Sequence, residues 1–129
     1  MSMQHFSSVV VLVVLAGCGG SDSDPYQEAV NTANKKEGEA RAAGTASPCT
    51  AASQCGLLTF QNPSPTCVNW TYKAYSLVSA TAAAASAAAS EQNVMARQAL
   101  ALAPPSGVVC PAVVPQPPAL TCIAGTCGP

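Results

Sequence analysis

The sequence predicts a small, disulfide-rich α+β protein in which one long alanine-rich helix packs on a short antiparallel sheet of two or three strands. Three observations indicate this class. The chain has 129 residues, which is room for one domain and some linker. Six of its seven cysteines fall between residues 49 and 127. A run of alanines lies between segments that are rich in β-branched and aromatic residues.

The long helix is expected to run to about residue 102, because alanine is the best helix former. Ser76 or Ser79 is expected to cap its first turn, and Pro104-Pro105 ends it. Residues at helical spacing predict which face is buried. The predicted buried stripe consists of Leu77, Ala84, Ala88, Met95 and Leu102.

Extended segments are expected on both sides of this helix. They are residues 54–60, a piece in which Val68, Trp70 and Tyr72 alternate, and residues 107–114 and 119–123. Three prolines at 115, 117 and 118 keep the join between the last two segments out of a central strand. Residues 124–126 are typical of a turn.

Residues 1–17 have the pattern of a signal peptide. The apolar run at 9–15 has about the length of a signal-peptide core and is too short to span a bilayer as a helix. A short buried strand is the alternative, since valine-rich runs suit strands. A strand fits poorly with the position of the run at the N-terminus, directly before Gly-Cys-Gly-Gly.

Leu15-Ala16-Gly17-Cys18 resembles the lipobox of bacterial lipoproteins at all four positions. The resemblance implies that the Cys18 thiol receives a diacylglyceryl group and that a signal peptidase cuts the Gly17–Cys18 bond. The membrane is then a partner through this lipid, because two or three acyl chains anchor stably. Gly19 stands where an aspartate would favour the inner membrane, so the sorting rule of some Gram-negative bacteria implies the outer membrane.

Residues 18–47 are expected to be a lipid-anchored polar tether. Asp24 followed by Pro25 is typical of a helix start, and Gly44 of a helix end. The apolar stripe between them is thin, which predicts a marginal or frayed helix that spaces the rest of the protein from the lipid. A partner-binding helix is the alternative. Residues 48–129 are expected to form a separate six-cysteine module.

If Cys18 carries lipid, six cysteines remain for three bridges. We expect a nested arrangement of Cys49–Cys127, Cys55–Cys122 and Cys67–Cys110. The reason is that the strand after Cys55 would run antiparallel to the strand that ends at Cys122. Local pairing, Cys49 with Cys55 and Cys122 with Cys127, is the rival. Metal binding is disfavoured by the lack of a usable histidine and of C-x2-C pairs.

The module also resembles a six-cysteine module of uncharacterised secreted proteins and lipoproteins of high-GC bacteria. The shared features are the C-x5-C opening with Gln54 before the second cysteine, the Tyr75-Ser76 step into a helix, the Cys-Pro-Ala-Val-Val-Pro segment at 110–115, and the closing pair Cys122 and Cys127. This family has no assigned activity, so the resemblance implies a shape and no chemistry.

The sequence lacks the residues of common catalytic sites. The only histidine, His5, leaves with the signal peptide, and Glu91 is the only carboxylate side chain beyond the tether. C-x-x-C and glycine-rich phosphate loops are missing. We therefore expect no enzyme, no cofactor and no metal. A net charge of −1 gives no argument for nucleic-acid binding.

The expected function is that of a lipid-anchored envelope protein acting as a non-catalytic interaction or structural module. The alternative is a protease-inhibitor-like module that presents the loop around Pro63-Ser64-Pro65. The aromatic residues Trp70, Tyr72 and Tyr75 are expected to supply the core, with a ligand or partner patch as the other interpretation.

Overall fold

A computed structural model describes residues 23–112 and 116–129. The predicted signal peptide and Cys18 lie outside the described residues. Along the chain the elements are α1 (Pro25–Ala43), β1 (Cys55–Gln61), β2 (Trp70–Ser76), α2 (Ala82–Leu102), β3 (Thr121–Ile123) and β4 (Thr126–Gly128). Together with three disulfides, these elements form the predicted small α+β fold.

Helix α1 begins and ends where the sequence predicts. The Asp24 carboxylate accepts a hydrogen bond from the Tyr26 backbone N–H at 3.0 Å, and Pro25 occupies the first turn. The helix ends at Gly44, where space is limiting. A Cβ atom there would lie 3.0 Å from Leu58 Cδ1 and 3.2 Å from the Ala40 carbonyl oxygen. A glycine at this position therefore allows the chain to turn against β1.

The prediction of a frayed tether helix is wrong for residues 25–43. Helix α1 packs antiparallel along α2, and Ala33 and Ala40 are fully buried. The Thr81 hydroxyl, before α2, donates to the Ala43 carbonyl at 2.6 Å and joins the two helix ends. The thin apolar stripe of α1 is sufficient because its alanines are buried as the helix packs along α2. The folded unit thus starts near residue 25 rather than 48.

The predicted start and buried stripe of α2 also need correction. Neither Ser76 nor Ser79 is the N-cap, because the helix starts at Ala82 after Thr81. Its buried residues are Ala85, Ala89, Gln92, Ala96 and Ala99. Among the predicted stripe residues, Ala84 is exposed, Ala88 and Met95 are half-buried, and Leu77 and Leu102 are 48% and 52% exposed. Four of these five buried residues are alanines, so small side chains form most of the face that packs against the rest of the fold, with Gln92 as the exception.

Strands β1 and β2 form an antiparallel hairpin, in register from Cys55 opposite Ser76 to Gln61 opposite Trp70. Alternation puts Leu58, Phe60 and Tyr75 on the face that the helices cover. There they form the core together with Ala40, Ala85 and Ala89. The predicted strand at 54–60 is therefore confirmed, and the extended piece through Trp70 and Tyr72 is β2.

A second hairpin closes the chain. Strands β3 and β4 pair across the two-residue turn Ala124-Gly125, where both residues have positive φ, 51° and 76°. This is the backbone of the turns that two-residue hairpins prefer. The predicted turn is confirmed, and the strand predicted at 119–123 is shorter. Residues 107–112 are not a strand.

Candidate functional site

The six cysteines after Cys18 all form disulfides, but two of the three predicted pairs are wrong. The bridges are Cys49–Cys122, Cys55–Cys127 and Cys67–Cys110, with Cα–Cα distances of 6.0, 5.5 and 5.1 Å. These distances lie within the range that a disulfide requires. Only Cys67–Cys110 was paired correctly from the sequence, and the local rival pairs are not formed either.

Strand pairing explains the error. Strand β1 pairs with β2 and not with the strand that ends at Cys122. The C-terminal hairpin instead contacts the segment before β1. The Cys127 N–H donates to the Ser47 carbonyl at 2.9 Å, and the Cys49 N–H donates to the Gly125 carbonyl at 3.0 Å. This docking exchanges the partners of the two C-terminal cysteines relative to the nested arrangement.

The two exchanged bridges form one compact sulfur cluster. The Sγ atoms of Cys49, Cys55 and Cys127 all lie within 4.8 Å of one another, and the three residues are buried. Thiolates at this spacing would be suitable metal ligands, but a sulfur in a disulfide has no thiolate to offer. In the bonded form the cluster is a structural staple between β1, the segment before it and the C-terminal hairpin.

The loop between β1 and β2 lies at the opposite end of the fold. The Asn62 side chain organises it, accepting from the Ser64 N–H at 3.0 Å and donating to the Val68 carbonyl at 3.1 Å. Pro63 is buried, and the Tyr26 hydroxyl of α1 lies 3.4 Å from the Ser64 hydroxyl. The loop around Pro63-Ser64-Pro65 is thus held against α1 and does not protrude.

The aromatic residues do not form one cluster. Tyr75 is 7% exposed and belongs to the core, as predicted. Trp70 and Tyr72 alternate onto the opposite face of the hairpin and are only half-buried. The core interpretation therefore holds for Tyr75, whereas Trp70 and Tyr72 leave part of their surface to solvent.

A network of charged groups joins the two helices. The Lys36 ammonium of α1 lies 2.9 Å from Glu39 of the same helix and 2.7 Å from Glu91 of α2. Glu91, which is the only carboxylate side chain after residue 47, is therefore close to a second carboxylate in the folded protein. The hydrogen bonds to Glu91 and Glu39 raise the pKa of Lys36. The hydrogen bond from Lys36 lowers the pKa of Glu39. Sequence reasoning missed this pair because it assigned α1 to a tether.

A further set of contacts joins α2 to the free edge of β1. The Asn93 side chain accepts from the Gln61 N–H at 2.8 Å and donates to the Thr59 carbonyl at 2.9 Å. The Gln92 amide donates to the Gln61 carbonyl at 2.8 Å, and its own oxygen, which is buried, has no partner among the described residues. These amides replace the neighbouring strand that the edge lacks.

The three disulfides indicate an extracytoplasmic protein, because such bonds persist in oxidising compartments and are rare in the cytosol. Among residues 23–112 and 116–129, no helix is both long and apolar enough to cross a membrane.

The fold and its bridges define the class as a small disulfide-rich α+β protein. No family model matches the chain, and neither the curated proteins nor the solved structures yield a match.

Proposed function

We propose that the protein is lipid-anchored in the cell envelope through Cys18 and that its folded part acts as a non-catalytic interaction or structural module. The number of bridged cysteines is the observation that supports this proposal. Three bridges use six of the seven cysteines in the sequence, and Cys18 is the one that remains. That cysteine is the one in the lipobox-like Leu15-Ala16-Gly17-Cys18.

The start of the fold agrees with an anchor at this position. Helix α1 begins at Pro25, seven residues after Cys18. The lipid would therefore hold the folded unit close to the bilayer instead of at the end of a tether of about thirty residues. Gly19 after the lipidated cysteine favours the outer membrane as the destination.

The charged and polar groups on α2 support a non-catalytic role. Glu91 and Glu39 share the Lys36 ammonium, so each carboxylate is already engaged in an ion pair. Gln92 and Asn93 are bonded to the backbone of β1. The loop around Pro63-Ser64-Pro65 packs against α1, whereas an inhibitory loop must enter a protease cleft. The protease-inhibitor alternative therefore gains no support.

The anchor is tested by metabolic labelling with a palmitate analogue. We expect the wild-type chain to be labelled and Cys18→Ser to lose the label and accumulate as uncleaved precursor, since the thiol is the acyl acceptor. Ser21→Ala is the matched control, because it alters a small neighbouring side chain and leaves the four lipobox-like residues intact. Equal labelling of Cys18→Ser and the control would refute the assignment.

The destination is tested separately with Gly19→Asp. If the sorting rule applies, the wild-type protein fractionates with the outer membrane and the variant with the inner membrane, while both remain labelled. An identical distribution of the two proteins would contradict the outer-membrane proposal without affecting the lipid anchor.

The interaction role is tested by cross-linking in intact cells followed by recovery of the protein with an antibody against its folded part. We expect recovery of a specific envelope protein with the wild-type chain and its loss when the lipid is missing. Recovery of the same set of proteins with an unrelated lipoprotein of similar size would count against a specific partner.

A further inference from the structure

We propose that one end of the folded unit rests directly on the lipid surface, through an apolar patch formed by Val68, Leu102, Val108 and Val109. The inference rests on the proposed lipid at Cys18 and adds an orientation and a second, non-covalent contact. The occupant of the patch is the bilayer that holds the acyl chains.

The four residues come from distant parts of the chain and lie toward the end of the fold where α1 begins. The hydroxyls of Tyr26 in α1 and Ser64 lie 3.4 Å apart, which places the loop that contains Val68 beside the first turn of α1. Leu102, at the end of α2, lines the same groove as Pro25 and Ala29. The Cys67–Cys110 bridge brings Val108 and Val109 to this loop.

Each of these four side chains is more than half exposed. Val109 is 92% exposed, and Val68, Val108 and Leu102 are 57%, 54% and 52% exposed. Clustered apolar residues on a surface mark a binding face for a protein or a membrane. Segments 62–70 and 98–112 contain no charged residue, so nothing in them resists transfer into the interfacial region of a bilayer.

The length of the chain between Cys18 and α1 favours a membrane over a protein as the partner of this patch. Seven residue steps separate Cys18 from Pro25, and they span at most about 25 Å, at roughly 3.3–3.6 Å per residue. The far ends of the two helices, near Ala43 and Ala82, are about 30 Å away along the helix axes, at 1.5 Å per residue. The apolar end is therefore the end that the lipid holds against the surface.

Lipidation and the patch then act together. One attachment makes the second intramolecular, so a weak apolar contact is populated once the acyl chains are inserted. Each exposed valine adds only a small gain, and the patch alone would not hold the protein on a membrane. Because Asp24, the N-cap of α1, and Glu28 in its first turn are acidic, anionic lipid is not expected to strengthen the contact.

Trp70 is a natural probe for this orientation. It is the only tryptophan, it is half-buried, and it lies at the same end of the β1–β2 hairpin as the loop that contains Val68. The test uses the mature lipidated chain in vesicles of phosphatidylethanolamine and phosphatidylglycerol, with acyl chains brominated near the headgroup. Flotation measures anchoring, and quenching of Trp70 fluorescence measures contact with the lipid surface.

We expect quenching of Trp70 in the wild-type chain and at least about a two-fold loss of quenching in Val68→Asp/Val109→Asp, because charged side chains leave the interface. This double variant and its control must both still float with the vesicles. Val78→Asp/Ile123→Asp is the matched control. It also places two aspartates at exposed apolar positions, 62% and 67% exposed, but at the other end of the fold. Val109→Asp alone provides a second variant at a side chain too exposed to affect folding.

The outcomes separate this inference from the anchor itself. If the wild-type chain floats but Trp70 is not quenched, or if the patch variants and the control quench equally, the orientation is wrong and the lipid anchor stands. If the wild-type chain does not float, the proposed anchor fails and the orientation falls with it.

Discussion

Cys122 and Cys127 stand directly opposite each other on the two strands of the C-terminal hairpin, but each is bonded to a different cysteine outside it. Their partners, Cys49 and Cys55, are 73 and 72 residues away in the sequence. Disulfides that close long loops restrict the unfolded chain most. The two disulfides therefore link the C-terminal hairpin covalently to the start of β1 and to the segment before it.

Non-reducing peptide mapping is expected to find Cys49 linked to Cys122 and Cys55 linked to Cys127. Cleavage after Lys73 and Arg97 leaves Cys49 with Cys55 and Cys122 with Cys127, so further cuts between Cys49 and Cys55 and between Cys122 and Cys127 are needed. Recovery of a peptide that joins Cys49 to Cys127 would contradict the docking of the hairpin described here.

Removal of Cys122 is expected to scramble the neighbouring bridge. In Cys122→Ser the Cys49 thiol stays within 4.8 Å of the sulfurs of Cys55 and Cys127. Its thiolate attacks that disulfide, forming a bond from Cys49 to one sulfur and releasing the other as a thiol. Mapping should find a mixture of pairs. Cys110→Ser is the control, because it frees Cys67 at the far end of the fold, and the other two bridges should then be retained.

The buried face of α2 is tested by introducing a glutamate at either of two neighbouring positions and comparing the two variants. Ala85 is fully buried and Ala84 is exposed. Ala85→Glu should lower the free energy of unfolding by at least about 3 kcal/mol, because the interface with α1 leaves the carboxylate unpaired. Ala84→Glu should change it by less than about 0.5 kcal/mol. Denaturant unfolding of the oxidised proteins measures both, and the reverse order would place α1 on the other face.

The edge of β1 is expected to depend more on Asn93 than on Gln92. Asn93→Leu leaves the Gln61 N–H and the Thr59 carbonyl without their partner, at a cost of about 1–3 kcal/mol. Gln92→Met loses one bond to the Gln61 carbonyl but also removes an unpaired buried oxygen. Its cost should be smaller. Thermal unfolding of the two variants provides the comparison, and equal losses would show that Asn93 has no special role.

The contact between Lys36 and Glu39 predicts how stability changes with pH. The lowered pKa of Glu39 means that its contribution is present above its ordinary value of 4.5 and is lost as the pH falls through the folded-state value. The raised pKa of Lys36 means that its contribution is present below 10.5 and is lost as the pH rises through the folded-state value.

The melting temperature should therefore fall on both sides of this window, and Glu39→Gln should reduce the fall on the acid side. Both effects should be small and should shrink in high salt, because the side chains are exposed. Glu28→Gln is the control, since it changes a carboxylate of α1 outside the network. A steeper acid transition in Glu39→Gln would reverse the sign and contradict the ion pair.

The sequence by itself determined the local structure. Asp24-Pro25 and Gly44 marked the ends of α1, the alanine run specified α2, and the residues from 54 to 60 specified β1. In each case the deciding interactions lie within a few residues, as a side-chain cap, a backbone propensity or a restricted turn. The sequence also limited the available side chains, because its one histidine is His5 and Glu91 is the only carboxylate side chain after residue 47.

Only the tertiary structure decided which surfaces meet. Large residues such as Leu102 predicted the wrong stripe on α2, because the buried face of that helix is formed mostly by small side chains such as Ala85. Two cysteine pairs were exchanged because their partners depend on where the C-terminal hairpin docks, which the spacing of these four cysteines along the chain does not determine. Contacts between residues far apart in sequence form only as the whole fold closes, so local pattern cannot specify them.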